Sequence, residues 1–135
     1  MRATLVDSNV LLDVLTEDPR WYDWSAEALA DEAERSVLAI NPLIYAEVSI
    51  GFERIEDLDD ALPAATIARE TLPWEAGFLA GKCFRRYRGR GGARRSPLPD
   101  FYIGAHAAIR GWTLLTRDRS RYRTYFPTLE IRAPA

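Results

Sequence analysis

The chain is poor in the residues that carry sulfur, imidazole or amine chemistry, with one cysteine, one histidine and one lysine among 135 residues. The lone cysteine, Cys83, cannot form a disulfide within the chain, which is typical of a protein in the reducing cytosol. Cys83 has no evident histidine partner, so the sequence offers no good protein nucleophile. His106 falls six residues after Asp100, off the helical face of that acid. We therefore expect His106 at the surface or in an interface, and not as a general base.

Long apolar runs are also lacking. The opening segment MRATLVDSNVLLDVL is apolar in character, but Asp7 and Asp13 interrupt it. It has neither a signal-peptide cleavage pattern nor a run long enough to span a membrane. Apolar residues make up 47% of the chain and charged residues 28%, enough to bury a core and ordinary for a soluble protein. We expect one cytoplasmic domain over residues 1–135, without membrane association.

The net charge of −2 conceals two halves of opposite sign. Residues 1–80 contain 17 acids and 5 arginines, whereas residues 81–135 contain 3 acids and 13 basic residues. All basic residues except Lys82 are arginine, which suits bidentate contacts to phosphate and stacking on bases. Either the two halves neutralise each other within the fold, or a basic wall stands beside an acidic pocket and attracts a polyanion.

Short apolar runs alternate with segments of helical periodicity along the chain. The runs predict strands at 3–6, 37–40, 69–72, 113–116 and 129–131. Helical spacing predicts helices at 10–15, 21–34, 42–52, 57–65, 74–88 and 100–110, with Asn41-Pro42 starting the third and Gly111 ending the last. This alternation predicts an α/β sandwich with a mainly parallel sheet, in which ligands bind at the carboxyl ends of the strands.

Four acids, Asp7, Glu47, Asp100 and Asp118, fall where such a fold would gather them. Asp7 and Asp118 follow predicted strands, while Glu47 and Asp100 lie on or at the start of helices that look buried. Singly, three of them have ordinary explanations: Asp7 as a helix cap, Asp100 as a first-turn acid and Asp118 as a turn residue. Glu47 is harder to explain because its neighbours on the helix face are apolar. Buried carboxylates need a cation, and we see no run of nearby Lys or Arg to supply one. Oxygen ligands suit Mg²⁺ or Mn²⁺, which indicates metal-assisted phosphodiester chemistry.

Four motifs in this order resemble the PIN-domain ribonucleases, specifically the toxins of bacterial VapBC toxin–antitoxin modules. The motifs are LVDSNVLLDVL, NPLIYAEV around Glu47, PDFYIGAHA beginning near Asp100, and LLTRDRSRYRTYFP around Asp118. The resemblance implies a three-layer α/β/α sandwich and one PIN-like nuclease domain over residues 1–135. It implies that Asp7, Glu47, Asp100 and Asp118 are the catalytic, metal-binding acids, and that Ser8 and Thr116 support the site. After the last acid, Arg119, Ser120 and Arg121 follow instead of a further acid, so the ligand set stops at four.

The resemblance also implies partners: an RNA substrate, a homodimer, and a small VapB-type antitoxin that blocks the pocket with a basic side chain. In the implied reaction, Mg²⁺ or Mn²⁺ lowers the pKa of a bound water, orients it toward a phosphate and stabilises the leaving oxygen. We assign substrate contacts to arginines after residue 90: Arg94, Arg95, Arg117, Arg119 and Arg121. The first two lie in a glycine- and proline-rich segment, residues 88–99, expected to be a mobile basic loop. Solvated charge and a simple connector are the alternatives for these arginines and this loop.

Two other functional classes compete with a nuclease. A non-catalytic RNA-binding module on the same fold is one, although a binder gains nothing from concentrating acids near phosphates. A phosphoryl-transfer enzyme of the haloacid-dehalogenase or receiver type is the other. Such enzymes need a nucleophilic aspartate with a lysine partner, and Lys82 lies on a helix far from the strand ends. The first-strand motif also reads Asp-Ser-Asn instead of Asp-x-Asp.

Overall fold

The computed structural model describes residues 2–91 and 97–135 of the chain. Within these residues, five strands alternate with seven helices. In chain order they are β1 (Ala3–Val6), α1 (Ser8–Leu15), α2 (Tyr22–Arg35), β2 (Val37–Ile40), α3 (Pro42–Ser49), α4 (Ile55–Ala61), β3 (Ile67–Arg69), α5 (Trp74–Gly89), α6 (Leu98–Arg110), β4 (Thr113–Leu115), α7 (Arg119–Tyr125) and β5 (Ile131–Arg132). No helix in the described part of the chain has the length and apolar character needed to cross a membrane.

The five strands form one parallel sheet in the order β3-β2-β1-β4-β5. All four residues of β1 are buried, as expected for the central strand of a sheet covered on both faces. The chain builds outward from β1 through β2 and β3, then crosses to the other side of β1 to form β4 and β5. The point between β1 and β4 is therefore the topological switch point, where open α/β sheets bind ligands. The three-layer α/β/α prediction is confirmed.

Local sequence signals explain where several helices begin and end. Asn41 precedes α3, and its Oδ1 accepts a hydrogen bond of 3.0 Å from the backbone N–H of Ile44, while Pro42 occupies the first helical position. Gly111 ends α6 in the left-handed conformation, with φ of 69°. The predictions for these two boundaries are confirmed.

The largest departure from prediction is α7. Its seven residues, RSRYRTY, have no clear apolar period, so the sequence does not predict a helix there. Asp118 starts the helix, since its Oδ1 accepts a 3.3 Å hydrogen bond from the N–H of Arg121. Smaller shifts move β3 to Ile67–Arg69, α4 to Ile55–Ala61 and β5 to Ile131–Arg132. Residues 92–96 of the predicted basic loop lie outside the described residues, while Arg88 and Gly89 belong to α5.

A close helix contact fixes α7 against α6. A Cβ placed on Gly104 would lie 2.5 Å from Cε2 of Phe126 and 3.0 Å from Cδ1 of Tyr122, so only glycine permits this approach. Tyr122 is thereby buried beneath α6, with 1% of its surface exposed. This packing places the phenol of Tyr122 beside the carboxyl end of β1.

The prediction that His106 lies at the surface or in an interface is wrong. His106 is fully buried, and α6 is buried over most of Phe101–Ala107 because small residues let its neighbours approach closely. Its Nδ1 lies 3.0 Å from Nδ2 of Asn41. The amide oxygen of Asn41 already caps α3, so the amide nitrogen donates and Nδ1 accepts. This hydrogen bond ties α6, which carries Asp100, to the start of α3, which carries Glu47.

From sequence, all four tryptophans are expected to anchor the core or an interface, but Trp112 and Trp74 lie in different environments. Trp112 is buried beside His106, with ring centroids 5.4 Å apart, whereas Trp74 is 89% exposed. Trp74 therefore has no part in the core of this chain, and its role as an interface anchor stays a prediction.

Candidate active site

Parallel pairing of β1 with β4 brings the first and last acids to the same edge of the sheet. Val6 of β1 pairs with Leu115 of β4, and the N–H of Asp7 donates to the carbonyl of Leu115 over 2.9 Å. Asp7 follows β1 directly and Asp118 follows β4 after two residues. Both acids thus lie at the switch point of the sheet, where the sequence predicted them.

Asp7 is buried and receives three hydrogen bonds. Its Oδ1 accepts from the backbone N–H of Ser8 over 2.8 Å, which caps α1. Its Oδ2 accepts from the hydroxyls of Thr116 and Tyr122 over 2.8 and 3.0 Å. Thr116 in turn accepts from the backbone N–H of Asp118 over 3.1 Å. Asp7 therefore serves both as the helix cap of its simpler interpretation and as an oriented carboxylate at the site.

Glu47 approaches Asp7 from α3. The hydroxyl of Ser8 donates to its Oε1 over 2.9 Å, which links α1 to α3 at the strand ends. Ser8 and Thr116, predicted as supporting residues, both contact the acids: Ser8 bonds to Asp7 and Glu47, and Thr116 bonds to Asp7. We call Asp7, Ser8, Glu47, Thr116 and Tyr122 the hydrogen-bonded side of the site.

The electrostatics of this side show carboxylates held close together. Burial raises the pKa of Asp7, the hydroxyls of Thr116 and Tyr122 oppose that rise, and the charge of Asp100 adds to it. Burial also raises the pKa of Glu47, against the hydrogen bond from Ser8, and the charges of Asp7 and Asp100 raise it further. Burial and the same two acids raise the pKa of Tyr122 well above its ordinary value, so its phenol stays a donor. Three acids, Asp7, Glu47 and Asp100, therefore repel one another in one region.

Asp100 and Asp118 are joined by an arginine. Arg121 donates from Nη1 to Oδ2 of Asp100 over 2.7 Å, and its Nε lies 3.0 Å from Oδ2 of Asp118. Burial would lower the pKa of Arg121, but the charges of Asp100 and Asp118 raise it above its ordinary value. The expectation that no nearby basic residue neutralises the acids is thus wrong for these two. We call Asp100, Asp118 and Arg121 the ion-paired side of the site.

The two sides open into a cavity of about 770 Å³. Its acidic lining comes from Glu47, Asp100 and Asp118, and Arg121 lies among them. We call the remaining lining residues, which are mostly aromatic or polar, the rim: Tyr87, Pro97, Phe101, Ser120, Thr124 and Tyr125. The guanidinium groups of Arg86 and Arg90 stack over the ring of Tyr125, at 5.3 and 5.8 Å from its centroid. A cavity with acids beside arginines and aromatic rings is typical of a site for a polyanion with bases.

The other predicted substrate arginines have different surroundings. Arg117 donates from Nε to Asp13 over 2.7 Å and stacks over Trp21, so its charge balances a buried acid. Arg119 donates to the carbonyl of Ala133 over 3.4 Å. Arg94 and Arg95 lie outside the described residues. Lys82 lies over the ring of Phe78 on α5, away from the four acids, as expected.

Two residues of the site make contacts that the sequence does not predict. From sequence, Tyr122 is expected only to pack the C-terminal end, and its contact with Asp7 spans 115 residues of chain. Asn9 accepts from the N–H of Arg117 over 3.2 Å and approaches Thr116 over 3.4 Å, which fixes the turn before Asp118. Neither residue had a local signal for these contacts, because Arg117 lies 108 residues after Asn9 and Tyr122 lies 115 residues after Asp7.

The donor set suits a divalent cation in its chemistry. Carboxylate oxygens are the ligands that Mg²⁺ and Mn²⁺ prefer, and the raised pKa values of Asp7 and Glu47 mark a place where positive charge stabilises the fold. Across residues 2–91 and 97–135, however, no group of three His, Cys, Asp or Glu side chains is placed to hold a metal ion. Two of the four candidate ligands instead bind Arg121.

Comparison with solved structures finds the same fold in several VapBC complexes. The chain is similar to VapBC2 from Rickettsia felis bound to a promoter DNA fragment, with TM-score 0.71, 18% identity and coverage of 97% of this chain and 98% of the other. It is similar to VapBC-1 from nontypeable Haemophilus influenzae, with TM-score 0.71, 16% identity and 97% coverage of both chains. It is also similar to DNA-bound VapBC from Salmonella typhimurium, with TM-score 0.68, 18% identity and 98% coverage of both. At these identities the likeness shows a shared fold.

Sequence comparison places the chain in a family. A search among curated proteins finds no match. The profile of the PIN domain family matches residues 4–127, from the first strand through the end of α7. That span includes all four acids and every contact described between them. The chain belongs to the PIN domain family.

Proposed function

We propose that this chain is a metal-dependent endoribonuclease that acts as the toxin of a toxin–antitoxin module. The observation that carries the proposal is the gathering of four acids at the switch point of a PIN domain: Glu47, Asp100 and Asp118 line one cavity, and the buried Asp7 lies close enough to interact with Glu47 and Asp100. The likeness to VapBC complexes, each named for a toxin with its antitoxin, supports the toxin assignment. The basic and aromatic rim supports a nucleic-acid substrate.

Different residues of the chain orient the acids, hold the metal ion and bind the RNA. Hydrogen bonds from Ser8, Thr116 and Tyr122 orient Asp7 and Glu47 in advance. A bound Mg²⁺ or Mn²⁺ held by the four acids would supply an activated water and stabilise the leaving oxygen. Arginines of the rim, together with Arg94, Arg95 and Arg119, bind phosphates, and Tyr87 and Tyr125 provide ring faces for bases.

The proposal includes partners and a compartment. A small VapB-type antitoxin places an Arg or Lys among the four acids, which is favourable because the pocket is acidic. The toxin forms a homodimer and works in the cytoplasm, where its RNA substrate is found. The ion pairs of Arg121 with Asp100 and Asp118 support this role for a basic side chain, since they place a guanidinium group beside two of the acids.

One observation favours a second function, a non-catalytic RNA-binding module. Arg121 already neutralises two of the four acids, and the described residues hold no preformed three-ligand metal site. A chain of this kind would bind RNA through its rim and leave it intact.

Cleavage by an acid-to-amide variant separates the two functions. We predict that Asp100→Asn abolishes Mn²⁺- or Mg²⁺-dependent cleavage of RNA, while Asp60→Asn, an exposed acid of α4, cleaves like wild type. Metal should raise the melting temperature of wild type by linkage and raise that of Asp100→Asn less. Without metal, the melting temperature of Asp100→Asn should differ little from that of wild type. The substitution removes the charge repulsion of Asp100 with Asp7 and Glu47, and this gain offsets the loss of the ion pair between Asp100 and Arg121. Cleavage by Asp100→Asn at the wild-type rate would remove Asp100 from the catalytic set.

The toxin assignment has its own test. Expression of the chain alone in a bacterial host should halt growth, and co-expression with the product of a short neighbouring reading frame should restore it. Asp100→Asn should be harmless at equal expression, since toxicity depends on cleavage. Harmless expression of a folded wild-type chain would end the toxin assignment even if nuclease activity were measured.

A further inference from the structure

One side chain bridges the two helices of the ion-paired side. Arg121 uses two different nitrogens, Nη1 for Asp100 at the start of α6 and Nε for Asp118 before α7. The contact to Asp100 is a hydrogen bond of 2.7 Å, within the range of charge-assisted bonds, and the ion pair with Asp118 spans 3.0 Å. The positive charge thus lies between two carboxylates that the proposed function assigns to a divalent ion.

The geometry of α7 directs this arginine into the cavity. Oδ1 of Asp118 accepts from the backbone N–H of Arg121, and Oδ2 forms an ion pair with Nε of the same residue, so one acid holds both its backbone and its side chain. The other two arginines of α7 are engaged elsewhere, Arg119 with the carbonyl of Ala133 and Arg123 with the carbonyl of Pro127. Position 121 is therefore the point of α7 at which a cation reaches the acids.

The ion pairs that Arg121 forms with the two acids are exposed to solvent. The side chain of Arg121 is 51% exposed, while those of Asp100 and Asp118 are 19% and 34% exposed. An ion pair at this exposure is weak enough to be exchanged, because water and salt compete for both partners. A long arginine side chain can also swing into solvent without moving the backbone of α7.

We propose that Arg121 is the resident counter-cation of this site, which holds Asp100 and Asp118 in place and is displaced when a divalent ion binds. Arg121 and the ion then compete for the same two carboxylates. The proposal rests on the proposed function, since that function supplies the ion. Its consequence is that the native arginine lowers metal affinity and stabilises the metal-free fold.

Metal titration of the full chain tests this competition. Four proteins are stripped of metal and titrated with Mn²⁺ in a calorimeter: wild type, Arg121→Gln, Arg121→Lys and Arg123→Gln. Arg123→Gln is the matched control, because it removes the same charge from the same helix without touching the acids. We expect Arg121→Gln to bind Mn²⁺ about tenfold more tightly than Arg123→Gln, since both a competing contact and a nearby like charge are gone. Arg121→Lys should fall between them, because an ammonium cannot bridge two carboxylates as a planar guanidinium does.

Melting temperature provides a second readout that does not depend on activity. Without metal, Arg121→Gln should melt below Arg123→Gln, and saturating Mn²⁺ should remove that difference. Equal Mn²⁺ affinity for Arg121→Gln and Arg123→Gln would overturn the proposal, and so would weaker binding by Arg121→Gln. In either case, metal binding and cleavage by wild type would leave the proposed function standing. Absence of Mn²⁺ binding in all four proteins would overturn both.

Discussion

The two sides of the site hold their carboxylates by different physics. On the hydrogen-bonded side, Asp7 is 4% exposed and is oriented by neutral donors, Thr116 and Tyr122, that stay in place whatever its charge. On the ion-paired side, the side chain of Asp118 is 34% exposed and is held by a half-exposed cation, Arg121. The first arrangement is fixed by packing and the second by exchangeable charge.

This difference indicates which part of the site is preorganised. Buried hydrogen-bond partners cannot leave without a large cost, so Asp7 keeps its orientation through a cycle of binding and release. Asp100 and Asp118 can exchange one cation for another because solvent reaches their partner. We infer that ligands are admitted from the ion-paired side and aligned by the hydrogen-bonded side.

The largest expected effect comes from breaking the hydrogen-bonded side at Tyr122. Tyr122→Phe keeps the ring that packs on Gly104 and removes only the hydroxyl that donates to Asp7 over 3.0 Å. Loss of a partner that orients a metal ligand typically costs about 10–100-fold in metal affinity or activity. We predict a loss of that size in RNA cleavage, measured at several Mn²⁺ concentrations.

Tyr125→Phe is the matched control for that variant. Tyr125 lies on the same helix at the rim of the cavity, and its ring contacts Phe101. Its hydroxyl is not among the partners of Asp7, so its removal should cost less than that of Tyr122. Equal losses in the two variants would mean that the phenol of Tyr122 contributes packing and does not orient Asp7.

A smaller effect should come from the basic segment that precedes Asp100. Arg94→Gln combined with Arg95→Gln should weaken RNA binding and make its salt dependence shallower, because fewer counterions are released. For two contacts to a single strand, the slope of log K against log salt should change by about 1.4. The binding is measured in an Asp100→Asn background, so that the RNA stays intact.

Arg20→Gln combined with Arg54→Gln is the control for this pair. Arg20 stacks over Trp21 and Arg54 pairs with Glu56, both in the acidic half of the chain. Their removal should leave the salt slope nearly unchanged. If Arg94 and Arg95 behaved the same way, the basic segment would serve charge balance within the fold.

The sequence predicts the sheet well because its signals are local. β1, β2 and β4 are short apolar runs with a capping or polar residue after each, and their order follows from alternation with helices. Asp7 and Asp118 could be placed at the sheet edge on that basis alone. Their contacts could not, because Thr116 and Tyr122 meet Asp7 only after 109 and 115 residues of chain have folded back.

The missed helix explains the missed ion pair. Because the sequence predicts no helix at residues 119–125, it does not fix the position of Arg121 relative to Asp118. Once they form α7, residues 118 and 121 lie on one face, three apart, and the guanidinium falls between the acids. The error over His106 has a different cause: the prediction uses its spacing from Asp100 but leaves out the small neighbours Gly104, Ala105 and Ala107, which let other elements pack closely around it.

The smallest expected effect is on the pH dependence of stability and comes from His106, a buried residue that helps to position the hydrogen-bonded side. His106 joins α6 to Asn41 at the start of α3, and burial, with a lesser contribution from Arg110, lowers its pKa to about 4 from an ordinary 6.5. The unfolded chain therefore binds a proton near pH 6.5 that the folded chain does not, so stability falls as pH drops from about 6.5 toward 4. At pH 6 the loss of folding free energy from this one group is under about 1 kcal/mol.

His106→Gln tests this, because it keeps an acceptor for the Asn41 amide and cannot titrate. Urea unfolding at pH 7.5, 6 and 5 should show a shallower loss of stability for His106→Gln than for wild type. Parallel curves would mean that His106 is protonated as readily in the folded chain as in the unfolded one.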